Sequence, residues 1–224
     1  MPEYSPILAA VTGVLEVLAA VFTLRSPGRK QILRPVALIL LFLAAYQFAE
    51  VAVCANPSIL PLSRLAYFFV AWLPPIALRL VVILDARKGK VLRAASLFYF
   101  ALAAALCLWI IVDPGCITRT VCQVVIARYF PKAAFDIAYG LFYQTCLLFA
   151  VFSAGIVMAS CGDPVARKHL ANLQMGILGF MFPALAVRIL VAEPAGLTPS
   201  VMCHFALVLA ASLVALVLRE RRLT

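Results

Sequence analysis

Seven apolar stretches follow one another along this chain, each close to the roughly 20 residues that an α-helix needs to cross the hydrocarbon core of a bilayer. They run Pro6 to Leu24, Pro35 to Cys54, Leu62 to Leu84, Ala94 to Val112, Ala134 to Ser160, Leu170 to Ala192 and Val201 to Leu218. Turn and breaker residues separate them: Ser26-Pro27-Gly28, Asn56-Pro57-Ser58, Asp113-Pro114-Gly115, Cys161-Gly162-Asp163-Pro164 and Glu193-Pro194-Ala195-Gly196. The pattern predicts an all-α polytopic membrane protein with seven transmembrane helices in a single domain, residues 1–224.

Composition removes the soluble alternatives. Only 12% of the residues are charged and 66% are hydrophobic, with a mean hydropathy of +1.08, whereas soluble domains carry about a quarter charged residues. The net charge of +10 does not imply nucleic acid, because the basic residues sit in short clusters between apolar runs and not on one solvated face. Such clusters orient a membrane protein. The first, third and fifth loops and the tail hold Arg25, Arg29, Lys30, Arg34, Arg87, Lys88, Lys90, Arg93, Arg167, Lys168, Arg219, Arg221 and Arg222; the other side holds Arg64, Arg119, Arg128 and Lys132. This bias of thirteen to four predicts an outer N-terminus and a cytoplasmic C-terminus. No basic stretch precedes the first span, which is therefore read as a retained helix.

The longest connection, Asp113 to Ala133, falls on the outer side, and its apolar half, Val124 to Phe130, is expected to lie in the membrane interface. Pro74-Pro75 and Pro183 are expected to kink the third and sixth spans. The surrounding sequences do not match, so the signature of a repeat transporter, paired broken helices, is weak.

Ionisable and amide side chains inside the spans mark the candidate site, since each costs a few kcal/mol at bilayer depth unless partnered or hydrated. Glu50 and Arg188 each stand about 6 Å below the outer boundary, and Tyr67, Asp136, Cys203 and His204 fall in the same outer third. Gln47 shares a helix face with Glu50. This layer predicts an outward-facing ligand site with a Glu50 to Arg188 ion pair at its wall. Plainer readings stand beside it: the pair as a register device between helices, His204 as an interfacial hydrogen-bonding residue, Asp136 as a helix-N-terminal acid. Deeper in the chain, Glu16 and Gln144 fall near the midplane, and Arg79 and Gln174 nearer the cytoplasm. Arg79 is expected to snorkel to the inner headgroups, and Glu16 either to keep its proton or to pair with Gln144 or Arg79.

Seven cysteines are an odd number. Cys116 and Cys122, in one outer loop, are the expected disulfide, with Cys107, Cys146 and Cys161 free. Cys54, Cys203, His204 and Glu50 offer metal-ligand types, but their spacing matches no standard motif, and no metal is expected. Neither is any cofactor assigned. The seventh span has no lysine for a retinal Schiff base, two histidines are too few for a multi-histidine zinc site, and no phosphate loop or nucleophile elbow is present. The reading leans away from an enzyme.

Three segments carry a resemblance: Tyr46-Gln47-Phe48-Ala49-Glu50, then Leu65-Ala66-Tyr67-Phe68-Phe69 followed by Trp72-Leu73-Pro74-Pro75, and Ser200-Val201-Met202-Cys203-His204-Phe205-Ala206. In these the chain resembles an uncharacterised family of small bacterial seven-pass membrane proteins, a domain of unknown function. It departs from that family in opening Met1-Pro2-Glu3-Tyr4 in place of a Met-Cys-x-Ser start. Arg167-Lys168 leading into the Pro183-containing span is more loosely similar to the seven-pass sensor region of histidine kinases. The resemblance implies a bacterial inner membrane location and supplies no activity. The leading expectation is a receptor-like or accessory protein that binds a small or lipidic molecule from the outer side and signals to a membrane or cytoplasmic protein partner. A lipid-modifying enzyme, a small transporter and a structural subunit of a membrane complex are the alternatives.

Overall fold

The computed structural model describes residues 6–56, 58–85, 87, 89–123, 126–190 and 205–223, the side chains of 123, 126, 184 and 187–190 excepted. The chain is a mostly helical membrane protein. Its elements are α1 (Ile7–Arg25), α2 (Lys30–Ala55), α3 (Leu60–Ala71), α4 (Leu73–Leu84), α5 (Lys90–Val112), β1 (Ile117–Gln123), β2 (Ile126–Pro131), α6 (Ala133–Ser160), α7 (Pro164–Leu190) and α8 (Ala206–Arg221). Among the described residues five stretches are long and apolar enough to cross a membrane: α1, α2, the continuous pair α3 and α4, α5 and α6. Several helices run past the apolar stretches read from the sequence; α2 starts at Lys30 and α7 at Pro164.

The first helix shows how the solvent was chosen. Its buried positions are Ala9, Thr12, Gly13, Glu16, Ala20 and Thr23, while Ile7, Leu8, Val11, Val14, Leu15, Leu18, Val21 and Leu24 are exposed. A helix in water buries its aliphatic stripe. Here the stripe faces out, as lipid allows, and small residues let the neighbouring backbone approach. At Gly13 the approach is tightest, since a Cβ would stand 3.1 Å from the Phe48 ring and 3.2 Å from Gln47 Cβ. α1 thereby packs along α2 and reaches α8.

α2 and α4 make the centre of the bundle. α2 touches α1, α3, α4, α8 and both strands, and α4 touches α5, α6 and α7. The third apolar stretch is broken at Trp72, and Pro74 and Pro75 enter the first turn of α4, where the missing N–H groups would have had no helical acceptor. The expected interruption at these prolines is therefore present. Gly176 and Gly179 of α7 let α8 close on it; a Cβ at either would fall within 2.9 Å of Leu209, Ser212 or Val208.

The connection after α5 differs from the expected interfacial segment. It is an antiparallel hairpin, with Thr120 opposite Tyr129 and Cys122 opposite Ala127. The residues read as an apolar run alternate, with Ala127 and Tyr129 fully buried and Arg128 and Phe130 less so. That is the period of a half-buried strand. Asp113 and Lys132 clamp its base through a 3.1 Å ion pair, and the Lys132 amide donates to the Cys116 carbonyl at 2.9 Å.

Candidate functional site

Gln47 and Glu50 are 3% and 1% exposed, on the face of α2 turned into the bundle, as their spacing predicts. One turn further along, Cys54 is disulfide-bonded to Cys122 of β1, with Cα atoms 5.6 Å apart. This corrects the expected Cys116 to Cys122 bond. β1 is extended between those two cysteines, and at about 3.3 Å per residue they stand too far apart for the roughly 7 Å limit on a disulfide. Cys116 is instead a free, buried thiol, as are Cys107, Cys146 and Cys161. The bond also removes Cys54 from the set of metal-ligand types.

The hairpin is thus fastened over α2 and α3, and its inner side chains complete the layer. Ser63 and Thr120 hydroxyls lie 2.8 Å apart, and the Tyr46 hydroxyl approaches that of Tyr129 at 3.5 Å. Tyr67 is the hub of an aromatic group, edge-on to Tyr129 at 5.4 Å and to Tyr139 at 4.9 Å, and tilted against Phe135 at 5.8 Å. The Tyr139 hydroxyl donates to the Tyr67 carbonyl at 3.0 Å. Asp136 stands half-buried in the first turn of α6, the position of a helix-N-terminal acid. Cys203, His204 and the Arg188 side chain lie outside the described residues, and with them the expected Glu50 to Arg188 pair.

Toward the middle, the expected partners separate. Glu16 is fully buried, with neither carboxyl oxygen hydrogen-bonded among the described residues. It pairs with neither Gln144 nor Arg79, because α1 packs on α2 and α8 while Gln144 belongs to α6 and Arg79 is on the exposed face of α4. Gln174 bonds across to α6, donating to the Val151 carbonyl at 3.3 Å.

The end opposite the hairpin holds a constellation that the sequence reading missed. Glu220, 1% exposed near the end of α8, accepts from Arg29 Nε at 2.7 Å, Arg29 Nη2 at 2.9 Å and the Arg29 amide at 3.0 Å. Its other side faces His169 of α7, whose Nε2 lies 2.9 Å from Oε2. A carboxylate only accepts, so His169 Nε2 carries the proton of this bond. The Arg29 hydrogen bonds pull the Glu220 carboxyl down to about 2, and burial holds the His169 imidazole below its ordinary value. Gly28, at φ 137°, lets the loop fold over the carboxylate; a Cβ there would meet Glu220 Cγ at 2.7 Å. The one acid in the basic tail Arg219-Glu220-Arg221-Arg222 was the available signal.

No family model and no curated protein sequence matches the chain.

Proposed function

We propose that this is a seven-pass protein of the bacterial inner membrane, outer at its N-terminus and cytoplasmic at its C-terminus. In this reading it acts as a receptor-like or accessory protein that takes a small or lipidic molecule at the Gln47, Glu50 and Tyr67 layer and passes a change of packing to a separate protein. One observation carries the reading: an acid and an amide are held almost wholly buried on one face of α2, under a hairpin fastened by Cys54 and Cys122. Apolar side chains would pack that face more cheaply, so the polar pair is retained for recognition. The orientation agrees with the disulfide, which belongs to an oxidising compartment and sits at the end poor in basic residues. Resemblance of the Gln47 to Glu50 and Tyr67 segments to the small seven-pass family supports the same assignment.

The test is native mass spectrometry of the protein released from nanodiscs made with its host lipids, as wild type, Glu50→Gln and Tyr67→Phe. A molecule retained by wild type and lost from correctly folded variants supports the site. Equal retention by all three, or loss of folding with no retained molecule, assigns the layer to scaffolding.

A further inference from the structure

Glu16 is the one ionisable side chain among the described residues of α1's buried stripe, and it stands midway between the helix ends, about 13 Å from each. Its side chain is 0% exposed and neither oxygen has a donor among the described residues. A carboxylate in that position would be a bare charge in a low-dielectric interior, which is among the costliest arrangements a membrane protein can hold.

The described surroundings offer no counter-charge. Since Gly13 meets Gln47 and α1 and α2 run antiparallel, Glu16 is level with Ala44. Along α2 the nearest ionisable side chains are Glu50, an acid about 9 Å away, and Arg34, about 15 Å in the other direction; Tyr46 lies between Ala44 and Glu50, and Lys30 beyond Arg34. On α8 the described ionisable groups are Arg219, Glu220 and Arg221, all at the end beside Gly28, where Glu220 is already bound by Arg29 and His169. No group of three His, Cys, Asp or Glu side chains suited to a metal ion occurs among the described residues. A divalent cation therefore has no ligand set here, whereas a proton needs only the one carboxyl.

We propose that Glu16 is a proton-binding site set in the α1, α2 and α8 seam, exchanging its proton with the hairpin end of the bundle. The direction follows from the lining. Toward that end the seam continues through Thr12 and Gln47 to Glu50, all buried and polar. Toward the other end come Ala20 and then Thr23 and Ser26, whose hydroxyls are both tied to helix carbonyls at 2.8 Å, those of Ala19 and Phe22. Release of the proton leaves a charge that only entering water can solvate, so exchange and loosening of the seam are one event. The proton site at Glu16 does not rest on the ligand reading given above, although its exchange route shares Gln47 and Glu50 with that layer.

The experiment is infrared difference spectroscopy on the intact protein in phosphatidylethanolamine and phosphatidylglycerol vesicles, wild type against Glu16→Gln, at neutral pH. The expected result is a protonated-carboxyl carbonyl band in wild type that is missing in Glu16→Gln and shifts when the vesicles are moved into deuterium oxide, with the shift slowed in Glu50→Gln. Glu16→Gln preserves the neutral shape and is expected to fold, which circular dichroism checks; Glu16→Asp supplies a second variant that keeps a band at altered frequency. A wild-type spectrum with no band dependent on Glu16 overturns the proposal, and so does a band that never shifts in deuterium oxide. A shift unaffected by Glu50→Gln overturns the direction of exchange.

Discussion

The two ends of the bundle solve one problem with different chemistry. Each must hold segments far apart in sequence: at the hairpin end, residues of α2 and α3 are joined to β1 and β2; at the other, the loop before α2 is joined to α7 and α8. The first end uses a disulfide, a pair of hydroxyls and a set of packed rings around Tyr67, with the Asp113 to Lys132 ion pair at the surface. The second uses a carboxylate gripped by a guanidinium, a main-chain amide and an imidazole. The first should therefore respond to thiols, and the second to the pH range in which His169 and Glu220 titrate.

The largest expected effect breaks the first end. The disulfide closes a span of 68 residues, for which the chain-entropy argument gives about 4 kcal/mol. Cys54→Ser, Cys122→Ser or a reducing agent should each lower the thermal midpoint in detergent by a similar amount, and Cys116→Ala, which breaks no disulfide, should lower it less. Equal midpoints with and without reductant would remove the disulfide from the comparison. At the second end, Arg29→Ala strands the buried Glu220 and is expected to cost about 3 kcal/mol. Glu220→Gln leaves a half-exposed arginine and keeps an amide oxygen that can still accept from the buried His169, so it should cost less, and the ordering of the two by denaturation tests whether burial of the acid is the cause.

A smaller effect sharpens the contrast by pH. His169 and Glu220 both sit below their ordinary values when folded, so each binds fewer protons folded than unfolded and each favours unfolding as pH falls. Stability should begin to decline as pH drops through the ordinary histidine range near 6.5 and decline further toward about 2, where Glu220 titrates. His169→Gln should flatten the first part of a midpoint-against-pH curve, while the Cys54→Ser curve should run parallel to wild type. Smallest of all, Ser63→Ala removes half of a hydroxyl pair to Thr120 and should cost about 1 kcal/mol, unaltered by pH.

The five long apolar stretches were legible because a hydrophobic run of bilayer length is a local property, and so was the break at Pro74-Pro75. The inward face of Gln47 and Glu50 was legible from their three-residue spacing alone. Three features were not. The hairpin's second strand looks like an apolar interfacial run unless its alternation is read at period two. The Cys54 partner depends on where the hairpin lands, which no spacing between cysteines encodes. Glu220 is hidden among arginines that read as orientation signals, and His169 belongs to no motif, so the contact between them had to come from the packing of α7 against α8.

The outward-facing aliphatic stripe of α1 changes what its letters mean. In most proteins a leucine is a position under tight constraint and a threonine or alanine is a position left to drift. Along α1 the order is inverted: the leucines and valines touch lipid and can trade places with one another, while Ala20, at 0% exposure, and Gly13 have no room for a larger neighbour. The unassuming small residues are the ones that write this helix's place in the bundle.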